Sequence, residues 1–168
     1  MKAIARLSLT LWIVCVTQTF AQGWALNSEN IRSARVHGIG IGASESEVES
    51  ALGLPPRDLQ YEVVPEMWRY PETSPGATPG SAFRVLFDRD TKFVRAVSGE
   101  CIAFDGGFRL KPQPIEELRS ILGPESVTWK SGDPPQVRDY VWSYEGTSLR
   151  VQTDAVGKAW RYSVIQKR

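Results

Sequence analysis

Phe83-Arg-Val-Leu-Phe-Asp88, running on through Lys92 and Arg95, returns without a gap as Leu149-Arg-Val-Gln-Thr-Asp154 through Lys158 and Arg161. Upstream of each copy the same landmarks stand in the same order. Glu47-Val-Glu-Ser-Ala-Leu-Gly53 matches Glu117-Leu-Arg-Ser-Ile-Leu-Gly123, and Trp68-Arg-Tyr70 matches Trp142-Ser-Tyr144. Self-similarity at a fixed period, here roughly 70 residues, marks a duplicated structural unit. The expected architecture is α+β, with two tandem modules that are each a helix followed by an antiparallel meander. The expected division is a signal peptide over 1–21, a first module over 22–104 and a second over 105–168.

Local chemistry places the elements. Ser44-Glu-Ser-Glu47 is a capping box, in which the Ser hydroxyl takes a backbone N–H and the Glu reaches back to the cap, so a helix starts at Ser44. Val48, Ala51 and Leu52 share one side of it, and Gly53 followed by Pro55 and Pro56 ends it. In the second half Pro112 and Pro114 mark the entry and Glu116 and Glu117 occupy the first turn, where the helix dipole favours acids. Leu118, Ile121 and Leu122 form the buried stripe, and Gly123-Pro124 ends the helix. Alternating runs rich in aromatic and β-branched residues follow, at Leu59 to Val64, Met67 to Tyr70, Phe83 to Asp88 and Phe93 to Ser98, with counterparts in the second half. Glu145-Gly146-Thr147 makes a tight hairpin, whereas the first half carries a long surface loop, Pro71 to Gly80, in the same place. Asp105-Gly106-Gly107, after a strand over Cys101 to Phe104, reads as the link between modules, and Asp133-Pro134-Pro135 as a loop.

Lys2 and Arg6, the apolar stretch Leu7 to Val16, and small residues at Thr19 and Ala21 form an export signal with cleavage after Ala21, or secondarily after Ala25. Val14 stands before Cys15 where lipoprotein processing favours a small residue, which argues against lipidation. Cleavage removes two of the 20 basic residues and none of the 19 acidic ones, turning the formal +1 of the chain into about −1. That balance gives no support to a nucleic-acid partner. No membrane span is expected after signal removal. The mature chain keeps only Cys101, which cannot close a bridge within itself, so stability comes from core packing. An apolar content of 42% argues against disorder.

The ordered set Gly42-Ala-Ser44, Val48, Leu52-Gly53, Trp68, Tyr70 and Phe87, then Leu118, Leu122-Gly123-Pro124, Trp142 and Tyr144, resembles the repeat of the SmpA/OmlA outer-membrane-assembly lipoproteins and of the secreted β-lactamase inhibitory proteins. The resemblance spans nearly all of the mature chain. It implies a non-enzymatic protein whose helices are packed on one face of the sheet while the other face is open to a partner.

Alternation along the strands says which side chains that open face would carry. Phe83, Val85 and Phe87 go one way and Arg84, Leu86 and Asp88 the other; Leu149 and Val151 oppose Arg150, Gln152 and Asp154. Trp160, Tyr162 and Val164 oppose Arg161, and Val94 and Ala96 oppose Arg95. Arg84, Arg95, Arg150 and Arg161, set among Phe93, Leu86 and Val97, are therefore the candidate protein-binding residues, since guanidinium groups and aromatics anchor protein interfaces. Ordinary pairing on a solvated face, Arg84 with Asp88, is the competing reading. Trp68, Tyr70, Trp142 and Tyr144 read as core, and Trp129, beside a Gly-Pro loop, as an exposed anchor.

No catalytic residue, cofactor or metal is expected. His37 is the single histidine. A Cys-His pair with Cys101 is possible on paper, but a buried cysteine in a strand is usually an apolar filler. Gly38-Ile-Gly-Ile-Gly42 lacks the strand–helix context of a phosphate-binding loop. The expected function is that of an exported, periplasmic or secreted, envelope-associated protein that binds another protein. The alternative is a periplasmic inhibitor or immunity protein that occludes a hydrolase or toxin with the Pro71 to Gly80 loop.

Overall fold

The computed structural model describes residues 26–57, 66–73, 75, 77–79, 81–130 and 137–167, with backbone alone at 129 and 130. The signal segment, the strand expected at 59–64 and the loop expected at 133–135 lie outside the described residues.

Both helices begin and end where their local chemistry places them. Ser44 Oγ accepts from Glu47 N at 3.3 Å while Ser44 N donates to Glu47 Oε2 at 2.7 Å, and this capping box opens α1 (Glu45–Leu52). The second helix, α2 (Ile115–Leu122), has Pro114 at its N-cap and Glu116 and Glu117 in its first turn. Gly53 and Gly123 close the helices at φ of 75° and 76°, a backbone conformation that costs a residue with a Cβ but not glycine. Their amides donate to Glu49 O and Arg119 O.

Among the described residues the strands form two antiparallel sheets. Short segments β1 (Arg35–Val36), β2 (Ile39–Gly40), β6 (Ile102–Ala103) and β7 (Arg109–Leu110) make the smaller one, in the order β2-β1-β6-β7. Asp105–Gly107, expected to link two modules, is the turn of its β6–β7 hairpin, in which Ile102 faces Leu110. The larger sheet holds β3 (Met67–Pro71), β4 (Ala82–Phe87), β5 (Val94–Gly99), β8 (Val127–Lys130), β9 (Arg138–Tyr144), β10 (Thr147–Thr153) and β11 (Ala159–Gln166). Its order is β3-β4-β5-β11-β10-β9-β8, so the meander after α1 and the meander after α2 join along β5 and β11, where Ser98 faces Ser163.

Register corrects two of the sequence matches. Tyr70 faces Phe83 and Trp142 faces Leu149, so if Phe83 is matched with Leu149, Tyr70 falls with Trp142 and Trp68 with Tyr140, a displacement of two residues from the motif match. The two side chains make like bonds: Tyr70 Oη donates to Gly53 O at 2.9 Å and Trp142 Nε1 to Gly123 O at 3.0 Å, each satisfying the carbonyl at a helix end. The Tyr70 hydroxyl is held protonated, its pKa pushed up to about 12 by burial and, secondarily, by Glu49. The second mismatch comes from the turns. Asp88 N bonds Phe93 O, whereas Asp154 N bonds Lys158 O one residue sooner, so Arg95 and Arg161 do not occupy equivalent positions.

A β-bulge next to that first turn, where Phe87 faces Val94 but Leu86 faces Ala96, reverses the expected faces downstream of it. Ala96 stands on the side of Leu86, and Val97, expected among the arginines, is fully buried opposite Val85. One core gathers Val48 of α1, Ile115, Leu118 and Leu122 of α2, and Tyr70, Phe83, Val85, Val97, Trp142, Leu149, Val151, Tyr162 and Val164 of the large sheet. Trp68 and Tyr144 are half-buried against it, as their reading as core aromatics requires.

Candidate functional site: an arginine-bearing sheet face

Strand alternation sends the remaining side chains of the large sheet to the face opposite that core, where most are half-buried. One row crosses six strands: Arg69, Arg84, Ser98, Ser163, Arg150 and Val141, each facing the next. The next row carries Met67, Leu86, Ala96 and Ile165. Arg69 and Arg84 are thus like charges directly opposite on neighbouring strands, an arrangement that destabilises a sheet. Arg161, two residues from Ser163 on the same face of β11, joins them, its guanidinium 4.5 Å above the Trp160 ring. Burial, and then the charges of Arg84 and Arg69, lower the Arg161 pKa to about 10, against the opposing pull of Glu100 and Glu72.

Those two acids lie at the sheet end nearest the β3–β4 loop. The Glu72 side chain is fully buried; its Oε1 is 2.5 Å from His37 Nε2 and its Oε2 accepts from Glu100 N at 3.1 Å. Glu100, also buried, accepts from Thr78 N through Oε2 at 2.9 Å. His37 has a left-handed backbone, φ 49°, and stacks on Phe83 with ring centroids 4.4 Å apart. The loop is thereby held to the sheet at Glu72, Thr78 and Ser81, whose carbonyl accepts from Glu72 N.

The expected binding residues fall into separate groups. Arg84 and Arg161 come together, with Arg69 as an unforeseen third member. Arg69 stood within the motif read for its aromatics, although alternation between Trp68 and Tyr70 already aims it at the opposite face. Arg95 sits at the bulge and lines a depression with Met67, Leu86 and Arg89. Phe93, 49% exposed, borders another with Arg95, Gln166 and Lys167. Arg150 shares the face but is engaged within the protein: Nε and Nη2 each reach an oxygen of fully buried Asp139 at 2.8 Å. Trp129 faces Asp139 along the β8–β9 backbone, and its side chain is outside the described residues.

His37 and Cys101, distant in sequence, line one cleft of about 270 Å³ together with Arg35 and Arg109. Among the described residues no group of three or more His, Cys, Asp or Glu side chains is placed to hold a metal ion.

No protein-family model and no curated protein matches the chain. A solved structure does. The crystal structure of a DUF4309 family protein (YjgB) from Bacillus subtilis subsp. subtilis is similar over 74% of this chain and 78% of that one, at 15% identity and a TM-score of 0.51. At that identity the likeness is one of fold alone. Among the described residues no helix is long and apolar enough to cross a membrane.

Proposed function

We propose that the chain is an exported, non-catalytic protein of the cell envelope that binds another protein through the sheet face opposite its helices. In this reading two tandem helix-plus-meander modules, each with its helix on the same side, build one sheet and leave the other side for the partner. The matching bonds from Tyr70 to Gly53 and from Trp142 to Gly123 support the duplication, because each ties a helix end to the third strand from the β5–β11 seam. The resemblance to the SmpA/OmlA and β-lactamase inhibitory repeats, with the modules divided near residue 104, belongs to the same proposal.

The observation that carries the binding reading is the gathering of Arg69, Arg84 and Arg161 on that face. Clustered like charge opposes folding and is retained at functional sites. Affinity capture from the organism's own envelope with residues 22–168 tests it. Wild-type protein should retain a defined partner that the R84E/R161E variant releases; equal capture by both would refute it. The anchored β3–β4 loop favours a second reading as a periplasmic inhibitor or immunity protein, in which the loop enters a target's cleft. Removing residues 73–80 should then abolish capture of a hydrolase or toxin, whereas the face-binding reading expects capture to survive.

A further inference from the structure

We infer that the cleft on the small sheet binds a short dicarboxylate, with one carboxylate at Arg35, the other at Arg109 and the ligand's carbon chain over Ala103. The inference goes beyond the partner-binding face, which belongs to the large sheet, and stands or falls without it. Register puts the three residues in one row: Arg35 of β1 faces Ala103 of β6, and Ala103 faces Arg109 of β7. Their neighbours Val36, Ile102 and Leu110 point the other way, into the core, so the row lies on the outer side of the small sheet. His37, Thr73, Pro75 and Cys101 help to wall the same cleft, about 270 Å³ in volume.

Three features set the class of ligand. The first is charge. No residue lining the cleft is an acid, and the Glu72 carboxylate behind His37 is fully buried. Arg35 and Arg109 form no ion pair among the described residues. A guanidinium presents a rigid fork of donors that fits a carboxylate. The second is pre-orientation. Arg35 Nη1 donates to Arg32 O and Ala34 O at 3.3 Å each. Gly40, facing Arg35 on β2, gives that side chain its room, because a Cβ there would collide with Nη1 and Cδ. Arg35 Nε and Nη2 make no hydrogen bond among the described residues, and donors fixed before a ligand arrives lose less entropy when it binds. The third is spacing. Strands about 4.8 Å apart put β1 and β7 on the order of 10 Å from each other, and Arg35 lies over Gly40, on the side away from Arg109. Two cations held apart across an alanine match an anion with two charged ends and a short apolar middle better than they match a single phosphate. The cleft also sits at the small end of ligand sites, which span about 300–1,000 Å³, so it suits a small molecule rather than a peptide.

Isothermal titration calorimetry of the purified protein with succinate, glutarate and adipate tests the inference, with butyrate, inorganic phosphate and cadaverine as comparators. At least one dicarboxylate should bind saturably with a Kd of about 1 mM or tighter, at least about tenfold tighter than any comparator, and more weakly as salt rises. R35Q and R109Q should each weaken that binding at least about tenfold, since each removes a charge-assisted pair. R138Q, on β9 of the large sheet, should leave it unchanged. Arg109 is exposed and its side chain makes no hydrogen bond or ion pair with a described residue, so R109Q should melt at the wild-type temperature. Should R35Q fail to fold, R109Q decides. No dicarboxylate binding, a comparator that binds as tightly as the best dicarboxylate, binding retained by R109Q or by folded R35Q, or binding lost equally in R138Q would each overturn the inference.

Discussion

Arg150 was expected to meet a partner, and its surroundings assign it to the fold instead, which yields a quantitative test. In R150M the two charge-assisted bonds to Asp139 disappear and a fully buried carboxylate loses its counter-ion. Removing one member of a buried pair costs about 3–5 kcal/mol. The Arg150 side chain is 35% exposed, so water screens part of that interaction, and the expectation falls to about 2–3 kcal/mol. For an ordered domain of this size each kcal/mol moves the melting temperature by about 3–4 °C, which gives a decrease of about 6–12 °C. Urea unfolding followed by circular dichroism, alongside calorimetry, reads both quantities. The double variant D139L/R150M removes the buried charge as well and should recover more than half of the loss, since apolar replacements of a buried pair are often tolerated. R150M within about 0.5 kcal/mol of wild type would refute the assignment, as would a double variant less stable than R150M.

Three further outcomes follow from neighbouring features, in the same urea assay. Y70F should cost about 1–2 kcal/mol by leaving the Gly53 carbonyl without its donor. W142F should cost about 2–4 kcal/mol, because lost ring volume adds to the lost bond, and the two losses should sum within about 0.5 kcal/mol in the double variant. Glu125 is held at a pKa of about 2, against an ordinary 4.5, chiefly by its bonds to Arg119. Because that folded value is depressed, its contribution is complete above 4.5 and fades as pH falls toward 2. E125Q should therefore lose less stability than wild type between about pH 6 and pH 2.5, and parallel pH dependences would contradict it.

What was legible in the sequence was local. The Ser44–Glu47 capping box, the Gly53 and Gly123 stops and the acidic first turn of α2 each need only a few neighbouring residues, and each formed as read. Alternation also placed Phe83, Val85, Leu149 and Val151 in the core. It failed at Ala96 and Val97, because a bulge inserts one residue and a one-residue slip exchanges the faces of everything beyond it. Of the small sheet only the strand read over Cys101 to Phe104 left a signal, and it forms as Ile102–Ala103; the other two-residue strands have no period to detect. The Arg150–Asp139 pair and the arginine cluster were invisible for a different reason: their members meet across strands, and only register says who faces whom.

Register also explains why two arginines at corresponding positions should do different work. On the proposed duplication Arg84 of β4 corresponds to Arg150 of β10, since Phe83 and Leu149 face the equivalent residues Tyr70 and Trp142. The position of Asp139, three residues before Trp142, is held in the first module by Met67, three residues before Tyr70. Val141, opposite Arg150, is replaced there by Arg69, opposite Arg84. At these two register positions one copy carries an acid and an apolar residue, and the other an apolar residue and a second cation. The shorter turn before β11 then brings Arg161 to the place that Ala96 holds on β5, adding a third charge at the seam between modules without a counterpart in the other half. Asp139 ties Arg150 to the fold, whereas Arg69 opposite Arg84 gathers positive charge at the corresponding place. R84E and R150M, measured side by side for stability and for capture of the partner, should therefore diverge: R150M should lose stability, and R84E should lose capture.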